Sequence, residues 1–492
     1  VTGTFSDTFY TSASTQLTQM LGLLSRVSPY FVAQLAVYGR RQAFMKDTPA
    51  FLLAWLAKNN GHAFELAFPH VADDGKMLKN FVQIVRSGVV GKRSLGSQAK
   101  RLVAKWIQDA SPKRLLSASI GASPSLSDLI RLAHPRPSNP EQEAMFGWLL
   151  GKNVDGEALP TLIRQLQTFR RNPNAEVPDV PFQLLTSMEL SDKAWAQVCE
   201  RSTWQQLRMN LNTFHRHRVF DDRHALLSAA DRLQNPQEIE RSKVFPFQLL
   251  AAALNLEVSG SAGEALQKGL FGAMELACGN IPEWEGQSVG VLMDVSGSMT
   301  STAVTGSRKG APPSKVMSAH AAGLFAAVIA RRNPGAQVIG FHTVAKAQSL
   351  PKHATLKKVY ESLSFPGGGT DCACGLEYLL RHKIKIDNLL MLSDNESHRS
   401  WNSFRGTKMT DAWLAYKAFH PKAKLVCVDF APNMTVQMPD MHDVLNVGGF
   451  TDDVFRVADR FFKGQAKQAA KGDLSLVADI KAIALEDLAV AA

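Results

Sequence analysis

Long apolar runs are missing from this sequence. No stretch approaches the ~20 consecutive apolar residues that a membrane-crossing helix needs. The opening VTGTFSDTFYTSASTQ is polar and lacks the basic-then-apolar order of a secretory signal, so no membrane role is expected. The chain begins at Val1 rather than at a methionine, which we read as a processed or trimmed start. Cysteine is scarce as well. Cys199, Cys278, Cys372, Cys374 and Cys427 are odd in number and sit mostly in apolar surroundings. That excludes a disulfide-stapled scaffold and points to a reducing compartment, the cytosol. Cys372 and Cys374 form a Cys-x-Cys without a second thiol or His pair at zinc spacing, so packing is their expected role. A phosphate loop is missing too: GVVGKRS at 88–94 lacks the four-residue spacing between its glycines and the following Lys. With no Ser-His-Asp set and no nuclease-like carboxylate cluster standing out, catalysis is not expected.

Acidic residues are scarce in one place only. Residues 1–140 hold 17 Lys and Arg against 7 Asp and Glu, whereas 141–492 hold 38 against 37. Nearly all of the net charge of +11 therefore lies in the first 140 residues. A solvated basic face would explain such an excess, but a confined one also suits a polyanion, nucleic acid first. The sequence is otherwise that of a folded globular protein, 45% hydrophobic and 20% charged. At 492 residues it is too long for one ordinary core.

The pattern is helical up to about residue 280. FVAQLAVYGRRQA is amphipathic, and DTPAFLLAWLAK follows, with Thr48 placed to cap it, Pro49 in its first turn and Gly61 as a stop signal. SQAKRLVAKWIQDA, SLSDLIRLAHP, ALPTLIRQLQTFRR, SDKAWAQVCE, TWQQLRMNLNTF and FPFQLLAAALNL repeat the theme: about three turns, one apolar stripe, a polar or proline-containing joint. Such units cannot bury their faces alone and stack, as in HEAT-type solenoids. After GNIPEWEGQ the grammar changes. The apolar runs SVGVLMD, AQVIGFHT, NLLMLSD, KLVCVDF and VLNVGGF alternate with helical segments, which predicts a doubly wound, mainly parallel sheet. Ligands of such sheets bind beyond the carboxyl ends of the strands.

Three loops converge there. The first carries Asp294, Ser296 and Ser298; the second, FPGGGTDCAC, leads through three glycines to Thr370; the third, LSDNES, begins at Asp394. Two carboxylates and three hydroxyls, with no Cys or His, form a hard-oxygen set suited to Mg²⁺ or Mn²⁺, with Ca²⁺ a stand-in in a crystal. A strand-ending Asp often only caps the next helix. Two such carboxylates brought together are costly to desolvate unless a cation compensates them.

The series DVSGSM, GGGTD and SDNE resembles the metal-ion-dependent adhesion site (MIDAS) of von Willebrand factor A (vWA) domains. The helical region, with DLIRLAHPRP, KAWAQV, LRMNL and FPFQLL, resembles the TROVE module of the Ro autoantigen family of Y-RNA-binding proteins, in the length and style of a bacterial member. Motif order and spacing agree over essentially the whole chain. The resemblance implies an all-α HEAT-like helical-repeat ring over 1–284, followed by an α/β, Rossmann-like vWA domain over 285–492. It implies a non-catalytic cytoplasmic ribonucleoprotein, a monomeric ring that binds Y RNA outside. The 3′ single-stranded ends of misfolded noncoding RNA would thread through its basic cavity, with an exoribonuclease as partner in RNA quality control. Ser296, Ser298 and Thr370 would ligate the metal directly, with Asp294 and Asp394 acting through water.

On the same resemblance His134 falls on the family's RNA-contacting histidine and Arg131 on a neighbouring basic position. Lys100, Arg101 and Lys105 match its basic helix ahead of Trp106, itself expected in the core. Lys113, Arg114, Arg136, Arg40 and Arg41 complete the expected RNA-binding set. His134 could equally be a helix-terminal histidine favoured by the dipole before Pro135. Animal members carry further basic residues ahead of DLIRLAHP, where this chain reads LLSASIGASPS. Two alternatives involve no RNA: a chelatase-like vWA protein, and a scaffold whose protein ligand supplies an acidic residue to the metal.

Overall fold

The computed structural model describes residues 13–301, 316–394, 408–430, 438–463 and 475–486, apart from positions 44, 122, 173, 243, 245, 352, 353, 440 and 450–452. Among these, eighteen α-helices run from Ala13 to Ala277 and precede a six-stranded sheet. The helices form where the apolar stripes predict them: Pro29–Arg41, Asp47–Asn59, Gly96–Asp109, Leu126–Ala133, Thr161–Arg171, Asp192–Arg201 and Pro246–Leu254. Each packs against near neighbours in the chain, and one continuous core follows the stack, from Leu24 through Phe64, Phe81, Ile107, Phe169, Trp195 and Phe214 to Leu270.

Local chemistry corrects three expectations. The helix at 47 starts on Asp47, with Lys46 at its N-cap, so Thr48 lies buried within the first turn rather than capping it. Gly61 begins the next helix, Gly61–Val71. The stop is Asn60, which ends one helix and caps the other by accepting from the Ala63 amide at 2.9 Å. TWQQLRMNLNTF is two short helices, Trp204–Met209 and Leu211–Arg216, broken at Asn210.

The sheet consists of β1 (Val289–Asp294), β2 (Gln337–Phe341), β3 (Ala345–Ala347), β4 (Asn388–Ser393), β5 (Lys424–Asp429) and β6 (Val444–Gly448), in the order β3-β2-β1-β4-β5-β6. All pairings are parallel except β2 with β3, a short antiparallel edge not foreseen from the sequence. Alternation along the strands separates two cores. Val291, Met293, Leu390, Leu392, Val426 and Val428 face the helices Ser318–Arg332 and Asp453–Phe462. Leu292, Leu389, Met391, Leu425 and Cys427 face Ala373–Arg381 and Lys408–Phe419. Strands buried on both faces explain why their sequences read as continuous apolar runs.

The two halves meet in three places. At the end of the stack, Glu275 accepts from Arg331 Nε at 3.0 Å and from the Leu356 amide at 2.9 Å. In the connector, Trp284 donates Nε1–H to Asp459 at 3.0 Å and packs edge-on against Phe462. At the front, the C-terminal helix Ser475–Lys481 lies on Pro29–Arg41, where Ile480 packs with Tyr38 and Ala43. Gln34 Nε2 donates to the carbonyls of Lys481 (2.8 Å) and Ile483 (2.9 Å). Arg460 pairs with Asp479 and ties this helix back to the sheet domain. Contacts thus run from first repeat to last, into the α/β domain and back to the first repeat.

Candidate functional site

Asp294 ends β1 and Ser393 ends β4, the two strands between which the chain reverses its direction of winding. That is where an open α/β sheet forms its crevice. Asp294, Ser296, Ser393 and Asp394 are all fully buried. Ser393 donates to Asp294 Oδ2 at 2.7 Å, and the Ser296 amide donates to Asp294 Oδ1 at 2.9 Å. Ser296 Oγ lies 3.1 Å from Ser298 Oγ, which in turn donates to Asp394 Oδ1 at 3.3 Å. The glycine loop is stitched to this cluster by its backbone: the Gly297 amide donates to the Gly368 carbonyl at 2.9 Å, and the Gly367 amide to Val295 O at 3.1 Å. Gly367 and Gly368 have φ of 79° and 115°, values that glycine adopts without strain. Thr370 follows, half-buried.

Burial pushes the Asp294 carboxyl up to about 6, with the Asp394 charge adding to the shift and hydrogen bonds from Ser296 and Ser393 opposing it. Two desolvated carboxylates and neighbouring hydroxyls are a donor set that fits a small hard cation. Among the described residues no three His, Cys, Asp or Glu side chains cluster as metal ligands, so hydroxyls would complete the coordination. Asp371, the acid of GGGTD, stands apart: it pairs with Lys408 at 2.6 Å and accepts from the Ala373 amide at 3.1 Å. Residues 395–397 of the third loop lie outside the described residues. Cys372, Cys374 and Cys427 are buried beneath the cluster, and burial holds the Cys374 and Cys427 thiols up at about 12.

The expected basic set divides by environment. Helix Gly96–Asp109 buries Ala99, Val103, Trp106 and Ile107 and turns Lys100, Arg101 and Lys105 to solvent. Arg101 pairs with Glu65 at 2.8 Å, Lys105 with Asp109 at 2.9 Å and Lys113 with Asp179 at 2.6 Å. These are exposed bridges, each worth roughly 0–1 kcal/mol and readily exchanged for a phosphate. Arg131, His134 and Arg136 are exposed, and Arg131 stands 3.8 Å from Asp128. Arg41 and Lys100 are exposed with no ion pair among the described residues. Arg40 and Arg114 are different. Arg40 is 14% exposed and spans Asp73 and Asp74, both at 2.8 Å. Arg114 lies 4.4 Å over the Trp106 ring and donates to Asp73 O at 2.8 Å. Both brace the repeats. Trp106 itself is core, its Nε1–H bonded to Ala72 O at 2.7 Å.

His134 terminates helix Leu126–Ala133 in a left-handed conformation (φ 51°), its amide donating to Ile130 O at 3.0 Å. Sequence reasoning missed what lies beside it: a cavity of about 770 Å³ between this helix and Pro140–Leu149, rimmed also by Lys152 and Asn153. The signal available was LLGKNVDGE, a polar turn after an apolar helix, which by itself does not locate a cavity.

The Ro60 vWA-domain family model matches residues 289–462. RNA-binding protein RO60 of Deinococcus radiodurans is 25% identical over 502 aligned positions, covering 94% of this chain and 91% of that protein. The crystal structure of the Ro (Rsr) protein of the same organism matches with a TM-score of 0.63 at 23% identity, over 94% of this chain and 98% of that one. Shared along nearly the full length are the repeat stack and the sheet behind it, so the chain has the fold of that bacterial Ro protein and resembles the Ro60 vWA domain over residues 289–462.

Proposed function

We propose that this protein is a non-catalytic RNA-binding protein whose repeat module holds structured RNA by its backbone and whose vWA domain binds a divalent cation. The observation that carries this reading is the confined basic excess, ten charges within residues 1–140, much of it displayed as exposed Lys100, Arg101, Lys105, Arg131 and Arg136 on rigid helices or at their ends. Cations fixed on such elements bind phosphates with little preference for sequence. The likeness to a protein named for RNA binding supports the same reading. In its finer form, Y RNA lies on the outer face, a 3′ single strand of misfolded RNA enters the ring, and an exoribonuclease cuts in the cytosol.

The Asp294–Asp394 cluster would take Mg²⁺ or Mn²⁺ through Ser296, Ser298 and Thr370. The metal would supply a Lewis-acidic anchor for a carboxylate of a protein partner. Asp294 and Asp394 would hold the cation's water, and the GGGT loop would shape the open side. The test is a pair of variants. Charge reversal at Lys100, Arg101 and Lys105 should weaken binding of a hairpin with a 3′ tail by about tenfold or more, while Asp294→Ala leaves it unchanged. Equal loss in both folded variants would contradict the division of labour between the halves.

A further inference from the structure

The hydroxyls of Ser296 and Ser298 are joined to each other, and Ser298 is joined to Asp394. The Thr370 hydroxyl has no such tie to the cluster among the described residues, so the backbone on either side must set its position. On the glycine side the loop is soft. Gly367 and Gly368 hold the turn through backbone hydrogen bonds, at positive φ. On the other side Asp371 is firmly held. Its amide donates to the His342 carbonyl at 2.8 Å. Its Oδ1 accepts from the Ala373 amide at 3.1 Å, at the start of helix Ala373–Arg381. Its Oδ2 accepts from Lys408 Nζ at 2.6 Å, and Lys408 also stands 3.2 Å from Glu377 Oε1 on that helix. Lys408 begins helix Lys408–Phe419, the helix that follows the Asp394 loop. Both ends of the bridge are anchored, because Cys372 beside Asp371 and Met409 beside Lys408 are buried in one core.

Resting on the metal-binding reading above, we infer that Lys408 is a positioning residue of the cation site: through Asp371 it fixes the backbone from which Thr370 presents its hydroxyl. As a source of stability the bridge is minor, since the Lys408 side chain is 57% exposed and exposed bridges contribute little. Its value is geometric. Groups one step behind the ligands govern metal affinity because they orient those ligands before the ion arrives. Mg²⁺ in particular demands near-ideal octahedral geometry and tolerates little displacement of a ligand oxygen. The ammonium itself repels a neighbouring cation, and Asp371 and Glu377 offset that charge. Substituting Lys408 alone therefore has two opposed effects: it loosens the loop and it removes a repelling charge.

The deciding variant is Asp371→Asn with Lys408→Met. It removes the ion pair, keeps the local net charge and leaves a side-chain oxygen to cap the Ala373 amide. Mn²⁺ affinity of the full chain is read from the electron paramagnetic resonance signal of the free ion. In the double variant it should fall by about tenfold or more, with the metal-free melting temperature unchanged. Lys408→Arg should keep it, because a guanidinium has donors enough for both carboxylates. Unchanged Mn²⁺ affinity in the double variant overturns the assignment and leaves the metal site standing. So does an equal loss in Lys408→Arg, or a loss that comes with a lower metal-free melting temperature, the mark of a bridge that only holds the fold. Absence of Mn²⁺ binding to the unsubstituted protein, or equal binding by Asp294→Ala, overturns the metal reading and this inference with it.

Discussion

At the scale of single residues, buried polar groups set the sharpest expectations. His70 is 1% exposed in helix Gly61–Val71, and neither ring nitrogen has a hydrogen-bond partner among the described residues. Burial first, and the Arg41 charge second, hold it down at about 4 from an ordinary 6.5. The unfolded chain therefore takes up a proton as pH falls through 6.5, and the folded chain only near 4. Stability is lost across that window as pH falls, by up to about 3 kcal/mol. His70→Leu should flatten the acid side of the stability curve between these values in urea titrations; an unchanged slope would place the acid sensitivity elsewhere. Asp294 makes the second expectation. Mn²⁺ should raise the melting temperature of the unsubstituted protein and leave Asp294→Ala unmoved, because the variant lacks one of the two buried carboxylates the cation would compensate.

At the scale of elements, the sequence made the helices and strands legible where burial imposes a period, and misled where a single side chain decides. The strands β1, β2, β4 and β5 could be read because each is largely apolar on both faces, and the β1 and β4 ends because a carboxylate follows an apolar run. The three-residue β3 has no such pattern. Gly61 looked like a stop because glycine so often is one, but Asn60 had the side chain to end one helix and start the next. Arg40 and Arg114 could not be told from Lys100 in the sequence, since their partners Asp73, Asp74 and Trp106 are set by how the repeats stack. The cavity beside His134 was hidden for the same reason. Stacking also makes Gly75 a sensitive point. A Cβ there would stand 2.6 Å from Ala118 Cα on helix Pro112–Ser119. Gly75→Ala should therefore cost about 1–3 kcal/mol by forcing the two helices apart. Chemical denaturation measures this, and a neutral result would mean that the helix crossing is loose.

At the scale of the whole molecule, the C-terminal helix closes a circuit between the last domain and the first repeat. Its hold is modest: Ile480 against Tyr38 and Ala43, two hydrogen bonds from Gln34, and Arg460 with Asp479. Removing residues 475–492 should leave the sheet folded and speed hydrogen exchange along Pro29–Arg41. Unchanged exchange there would mean that the two halves are held together by the Trp284 and Glu275 contacts alone.

The central claim is that the front helices carry a track of cations for RNA phosphates, and its most direct measurement is the affinity for a tailed hairpin as a function of salt. With Lys100, Arg101, Lys105, Arg131 and Arg136 each releasing a counterion, log K should fall against log salt with a slope of roughly −4 to −5. Charge reversal at Lys100, Arg101 and Lys105 should make that slope shallower by about two to three. A flat response in the unsubstituted protein would contradict the account.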